Sequence, residues 1–204
     1  MHLIKDFHAK YIFERRVKRL ASELLACLPD QGEVLDVGCG DGRIDALMRE
    51  ARPGLALQGI DIVARPTTHI PVRIFDGQRI PHGDRSFDIV LFIDVLHHTD
   101  APQELLREAI RVARRGILIK DHLVEGLLAR KTLRLMDWVG NAPHGIRLPY
   151  NYWTRQEWQE ACRALRLRPS IWKEAIGLYP RPLSWFFDRH LHFIALLAIE
   201  EPEG

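Results

Sequence analysis

Three glycines alternate through Val34-Leu35-Asp36-Val37-Gly38-Cys39-Gly40-Asp41-Gly42-Arg43, directly after a short apolar run. Glycines at this spacing let the backbone take positive φ and lie against a ligand. A helix starting behind the turn offers free N–H groups. Two more acids, Asp61 and Asp76, end later apolar runs. Asp61 stands 23 residues after Gly38, where a carboxylate can accept both hydroxyls of a ribose. Asp76, followed by Gly77, can accept from an exocyclic adenine amine. These residue types in this order suit the binding of an adenosine.

Two cofactor classes use such a turn. Dinucleotide enzymes favour G-x-G-x-x-G, whose third glycine lets the helix approach the strand. Counted from Gly38, that position holds Arg43, and the glycine comes one place early at Gly42. The spacing is G-x-G-x-G. Asp61 alone does not separate NAD from S-adenosylmethionine (SAM), but Asp76-Gly77 favours SAM. An ordinary strand-to-helix turn would explain the glycines taken alone, though not the accompanying acids.

The elements around these residues alternate. Helical spacing over 12–28 (Val17, Leu20, Ala21, Leu24, Leu25) ends at Pro29. Strands are expected at 34–37, 55–60, 72–75, 87–93 and 116–119, with helices at 44–51 and about 102–113. Asp100 reads as the N-cap of the second, with Pro102 in its first turn. The run FDIVLFI is apolar enough for a strand buried on both faces. Strands alternating with helices imply an α/β, doubly wound, mostly parallel sheet of Rossmann-like type, seven-stranded, over 1–204 as one domain. Its acids would then lie at the C-terminal strand ends, where open α/β sheets bind ligands. The rhythm breaks after Lys120. Residues 1–30 form an N-terminal helical segment. Residues 122–153 form an insertion after the fifth strand, with a helix near 127–139. Thr154 to Glu157 matches a capping box for a helix to about 165, and apolar segments at 171–176 and 191–199 close the chain.

VLDVGCGDGR, GIDI, FDGQRIP and SFDIVLFIDVLHH, in this order, resemble the successive motifs of class I SAM-dependent methyltransferases. The match is close to the small-molecule branch that includes quinone-biosynthesis methyltransferases, and it covers about 34–120. The resemblance implies that Asp36 and the turn Gly38, Cys39, Gly40 and Gly42 hold the methionyl end of SAM. It places Asp61, with its neighbour Ile62, at the ribose, and Asp76 and Gly77 at the adenine. Asp94 would begin the segment flanking the methyl group. The product would be S-adenosylhomocysteine. Cys39 is read as a small neutral filler, because no base partner is evident and no covalent intermediate is needed.

SAM carries an activated methyl group, so the protein must hold a nucleophile in line and exclude water. A base is needed only where the nucleophile must lose a proton. His97 and His98 follow the fourth strand and could transfer that proton. They could equally pack against the cofactor and start a helix. Asp121 and His122 follow the fifth strand and could reach the acceptor, or cap the next segment. Asn141, His144 and Tyr150 lie in the polar, aromatic part of the insertion and are the leading substrate contacts of a lid. A self-packed surface loop is the competing expectation. Arg15, Arg16, Lys18 and Arg19 read as a solvated helix face. Trp185, Phe186 and Phe187 could close the pocket, form a dimer contact or pack in the core.

The bulk numbers fit this picture. The chain has 204 residues, 47% hydrophobic and 27% charged, with a formal net charge of +2. That charge implies no nucleic-acid or membrane partner. Cys27, Cys39 and Cys162 are scattered, without metal-ligand spacing, as expected in the cytoplasm; no metal site is expected. No signal peptide or membrane span is expected. The expected partner is a small-molecule acceptor, the expected state monomer or homodimer. A NAD-dependent oxidoreductase and a non-catalytic SAM-binding protein are the alternatives. The Asn/Asp-Pro-Pro-aromatic motif of exocyclic-amine methylases is replaced by Asp94-Val95-Leu96-His97.

Overall fold

The computed structural model describes residues 2–141 and 149–200. Seven strands form one sheet: β1 (Gly32–Val37), β2 (Leu55–Asp61), β3 (Val72–Ile74), β4 (Phe87–Ile93), β5 (Ala113–His122), β6 (Leu167–Lys173) and β7 (His192–Ile199). Their spatial order is β3-β2-β1-β4-β5-β7-β6. The first five strands run parallel, and β7 is antiparallel to both its neighbours. The helices are α1 (His2–Leu25), α2 (Arg43–Ala51), α3 (Pro102–Val112), α4 (Ala129–Asn141), α5 (Arg155–Ala164) and the short α6 (Ser184–Phe187).

Side chains alternate across each buried strand. From β4, Val90 and Phe92 enter one core with Leu105, Leu106 and Ala109 of α3 and Trp158 of α5. Ile89 and Leu91 enter the other, with Leu20 and Leu24 of α1 and Met48 of α2. Both faces of the sheet are therefore covered, which explains why FDIVLFI carries no polar alternation beyond Asp88. β1 has β2 on one side and β4 on the other, so the winding reverses between β1 and β4. A crevice opens at the C-terminal ends of these strands, the switch point at which open α/β sheets take their ligands.

Several boundaries differ from the sequence expectation. α1 begins ten residues earlier. β5 is ten residues long, because Ala113 already pairs with Phe87. The N-cap of α3 is Ala101, with no side-chain cap, so Asp100 is not the cap. The sixth strand starts at Leu167 and includes Pro169, tolerated because β6 is an edge strand. The capping box at Thr154 and Glu157 forms as expected. Trp185 and Phe186 are exposed, so core packing does not account for them.

The insertion leaves and rejoins the sheet side by side, through a bridge between Leu123 and Trp153. Its helix α4 docks Ala129 and Leu133 on Tyr152 and Leu191. Among the described residues, no helix is long and apolar enough to cross a membrane.

Candidate active site

β1 delivers the glycine turn to the crevice. Gly38, Gly40 and Gly42 all have positive φ (80°, 62° and 72°). A Cβ on Gly38 would lie 2.5 Å from Val95 Cγ2, and one on Gly42 2.4 Å from Ile70 Cγ1. Gly42 is also the N-cap of α2. The early third glycine thus serves the turn into the helix. A Cβ on Gly40 would meet nothing within 4 Å, so the turn presents its middle residue to open space.

Asp61, at the end of β2, ties this turn in place. Its Oδ2 accepts from the Gly40 N–H at 2.8 Å, and its Oδ1 accepts from the Val63 N–H at 2.8 Å. Each oxygen keeps a lone pair for a further donor. Cys39 packs so closely over β2 that a Cβ on Gly59 would sit 2.3 Å from its sulfur. Burial, then the nearby charges of Asp36, Asp45 and Asp61, push its thiol far up, in keeping with a neutral filler.

Asp36 is 1% exposed and faces Asp45, which is fully buried in the first turn of α2. Neither Asp45 oxygen receives a hydrogen bond from a protein donor, and Asp36 Oδ1 receives none. Burial and mutual repulsion raise the Asp36 carboxyl well above its usual range, favouring a proton shared by the pair. Asp45 was not legible as a site residue, because an acid near a helix N-terminus ordinarily serves the helix dipole.

β3 carries Asp76 to the exposed edge. Its Oδ1 accepts from the backbone N–H groups of Gln78 and Arg79, both at 2.8 Å, and these bonds hold the carboxyl ionised, below its ordinary value. Gly77 lies under Ile62, which is 60% exposed. Ile62, Asp76 and Gly77 thus form one small patch beside the Asp61 end of β2.

Asp94 follows β4 with a φ of 56°. Its carboxylate accepts from Lys120 Nζ and, at 2.7 Å, from Arg16 Nη2. Burial alone would raise this acid, but Lys120, His122 and Arg16 hold it well below the usual range. Arg16 is therefore not on a solvated face. Arg15 and Arg19 also bond backward, to the carbonyls of Leu178 and Ile176, while Lys18 is exposed. The basic stripe of α1 clamps the C-terminal loop and the crevice.

His97 and His98 form a 3-10 turn, Leu96–His98, directly after Asp94 and Val95. His97 is 2% exposed, and its Nδ1 lies 2.5 Å from Asp121 Oδ1. Asp121 also accepts from the N–H groups of Leu96 (3.0 Å) and His122 (2.7 Å). Beyond the His97 ring, Nε2 lies 3.4 Å from Asp137 Oδ2 of α4. Tyr152 donates its hydroxyl to the same Asp137 carboxylate. Burial opposes a charge on His97, but Asp121 and Asp137 outweigh it and push its pKa up to about 10. His98 is pushed down to about 4, by burial and then by the neighbouring His97 charge, so it is neutral at physiological pH.

Asp121 and His97 thus meet, and His122 joins them through Asp137, at 3.6 Å. His122 Nδ1 also approaches His192 Nδ1 at 3.1 Å. The Arg134 guanidinium lies over the Tyr150 ring, 4.7 Å from the ring centroid, and that ring stands 6.2 Å from the Tyr152 ring at the edge of this cluster. The side chain of Asn141, and His144 entirely, lie outside the described residues. Sequence reasoning missed Lys120, Asp137, Tyr152 and His192. One sign was available: a lysine ending the apolar run Ile117-Leu118-Ile119 needs a buried partner. His192 becomes visible only once β5 and β7 are paired, where it faces His122.

A Rossmann-like sheet with a glycine turn after β1 and acids at or just beyond the C-terminal ends of β1, β2, β3 and β4 is the architecture of class I, SAM-dependent methyltransferases. The chain belongs to the methyltransferase-domain family, whose model matches residues 8–168. Among curated relatives, the ubiquinone biosynthesis O-methyltransferase of Caulobacter vibrioides is 28% identical over 129 residues, 57% of this chain and 50% of that protein. The 27-O-demethylrifamycin SV methyltransferase of Amycolatopsis mediterranei is 29% identical over 118 residues, 50% of this chain and 43% of that protein. The chain spans about half the length of the curated relatives it matches. Among solved structures, the Burkholderia thailandensis 1,6-didemethyltoxoflavin-N1-methyltransferase, with bound 1,6-didemethyltoxoflavin and S-adenosylhomocysteine, aligns with a TM-score of 0.63. It is 22% identical, covering 98% of this chain and 88% of its own. A chain from the complex of the Haloferax volcanii Trm112 methyltransferase activator with a methyltransferase aligns with a TM-score of 0.69 at 18% identity, covering 94% and 93%.

Proposed function

We propose that this chain transfers the methyl group of SAM to a small-molecule acceptor in the cytoplasm. The observation that carries the proposal is Asp61, whose carboxylate organises the glycine turn through Gly40 from the C-terminal end of β2, the strand next to β1. SAM would lie across the strand ends. Its methionyl end would meet the Gly38–Gly42 turn and Asp36, its ribose Asp61, and its adenine the patch of Ile62, Asp76 and Gly77. The ammonium and sulfonium of SAM suit the buried Asp36 and Asp45 carboxyls, of which Asp36 Oδ1 and the two Asp45 oxygens have no other hydrogen-bond partner.

The acceptor would enter between the 3-10 turn and the insertion, 122–153, which acts as the lid. Asn141, His144 and Tyr150 remain its expected contacts. The carbon–sulfur bond breaks as the acceptor atom bonds the methyl carbon, and the sulfur keeps the electron pair. Where the acceptor must lose a proton, neutral His98 is the better base, because His97 already holds a proton between two carboxylates. Asp121 fixes the His97 ring and with it the turn that presents His98. The relatives named for ubiquinone biosynthesis and for 27-O-demethylrifamycin SV support a small acceptor. Three free thiols support a reducing compartment.

Asp61→Ala is the test. Titration calorimetry should show SAM binding weakened by about 1–3 kcal/mol, as the hydroxyls and the Gly40 N–H lose their acceptor. Unchanged affinity in a folded variant removes Asp61 from the ribose site.

A further inference from the structure

We infer that His97, His98 and Asp137 form a binding site for one divalent transition-metal ion, at the junction of the 3-10 turn and α4. One donor atom from each lies within 4.8 Å of the others. His98 Nδ1 is a buried atom with no hydrogen-bond partner, and His97 Nε2, in a side chain 2% exposed, faces the Asp137 carboxylate. A buried imidazole nitrogen without a donor or a Lewis acid is costly, and an ion bound here displaces the proton that His97 otherwise holds between its two carboxylates.

The spacing fits an ion better than a hydrogen bond. His97 Nε2 and Asp137 Oδ2 stand 3.4 Å apart, long for an N–H···O bond. Two ligands of a tetrahedral ion with bonds of about 2.1 Å stand about 3.4 Å apart.

The surroundings are arranged as metal sites require. The far nitrogen of His97, Nδ1, lies against the Asp121 carboxylate, which sets the tautomer that leaves Nε2 as the ligand atom. Tyr152 orients Asp137 in the same way. Two imidazoles and one carboxylate select zinc, iron, cobalt or manganese over magnesium or calcium, which take oxygen ligands. Three protein ligands leave at least one position open. An acceptor hydroxyl bound there would be positioned and made more acidic, the ion then replacing His98 as the group that activates the acceptor, a use that rests on the methyl-transfer reading. Binding of the ion itself does not rest on it. The ligands come from two separated segments: adjacent histidines after one strand, and an aspartate about forty residues on. No recognisable sequence spacing announces them, and the cysteines take no part.

Tag-free, chelator-stripped full-length protein should be titrated with Zn²⁺ by calorimetry and with Co²⁺ by visible absorption. One ion per chain is expected, with micromolar or tighter affinity and a Co²⁺ spectrum of nitrogen and oxygen ligation. His98→Ala and Asp137→Asn should each weaken binding at least tenfold. An exposed control, His69→Ala, should leave it unchanged. Circular dichroism and S-adenosylhomocysteine binding report whether each variant is folded. The inference is overturned if folded wild-type protein shows no saturable one-to-one binding, or if His98→Ala and Asp137→Asn bind as tightly as wild type. Protein that binds S-adenosylhomocysteine but takes up no metal ion defeats this site alone and leaves the methyl-transfer proposal standing.

Discussion

Asp121→Ala is expected to lose about 3–5 kcal/mol of folding stability. The carboxylate is 1% exposed and receives three hydrogen bonds: from Leu96 N–H, His122 N–H and His97 Nδ1. Each donor left unsatisfied in the interior costs about 1–3 kcal/mol, less what relaxation recovers. The imidazolium of His97 would keep only Asp137 as a counter-charge. Urea unfolding should show a lower midpoint with an unchanged slope. A loss below about 1 kcal/mol would mean that water or a shifted side chain replaces the carboxylate. Asp121→Asn should recover part of the loss, because one acceptor oxygen remains.

The glycine turn gives the second large effect, through a contrast between two alanines. In Gly38→Ala the new methyl meets Val95 at 2.5 Å with φ at 80°. The left-handed backbone costs about 1–2 kcal/mol and the overpacking about 1–3 kcal/mol, so stability should fall by about 2–5 kcal/mol. In Gly40→Ala the methyl has open space, and only the backbone penalty applies. If that open space holds the methionyl end of SAM, Gly40→Ala should still weaken SAM binding at least tenfold. Gly38→Ala should weaken both folding and binding. Thermal unfolding and calorimetry together separate these outcomes. Unimpaired SAM binding by Gly40→Ala would place the cofactor elsewhere.

The half of the chain assigned to the methyl donor was legible because its signals are local. A glycine turn, the acids that end successive strands and the apolar run FDIVLFI each lie within a few residues, and each has one structural use. The polar cluster was not legible, because it is assembled from distant segments. Asp137 reaches His97 only when α4 folds back over the strand ends. His192 reaches His122 only through antiparallel pairing of β7 with β5. Arg16 looked like one of several solvated charges, since periodicity shows which face is polar but not what covers it. The expected cap at Asp100 failed for a related reason: cap preference is weak beside the fixed φ of Pro102, which starts α3 without a side-chain cap. Burial of Lys120 shows the cost of these distant contacts most clearly. Its ammonium is fully buried and depends on Asp94, 26 residues earlier, for its charge partner.

Exposure of α4 also follows from its position. Leu135, Trp138 and Val139 are open to solvent while Leu133 and Asp137 face inward. The helix is held by one face only, an arrangement that would suit the proposed lid.

Calorimetric titration of purified, ligand-free protein with S-adenosylhomocysteine tests the binding of the methyl donor most directly. One site per chain with micromolar affinity is expected, competed by SAM and not by NAD. A properly folded sample that takes up neither sulfur compound would contradict the assignment of the strand-end acids to an adenosine.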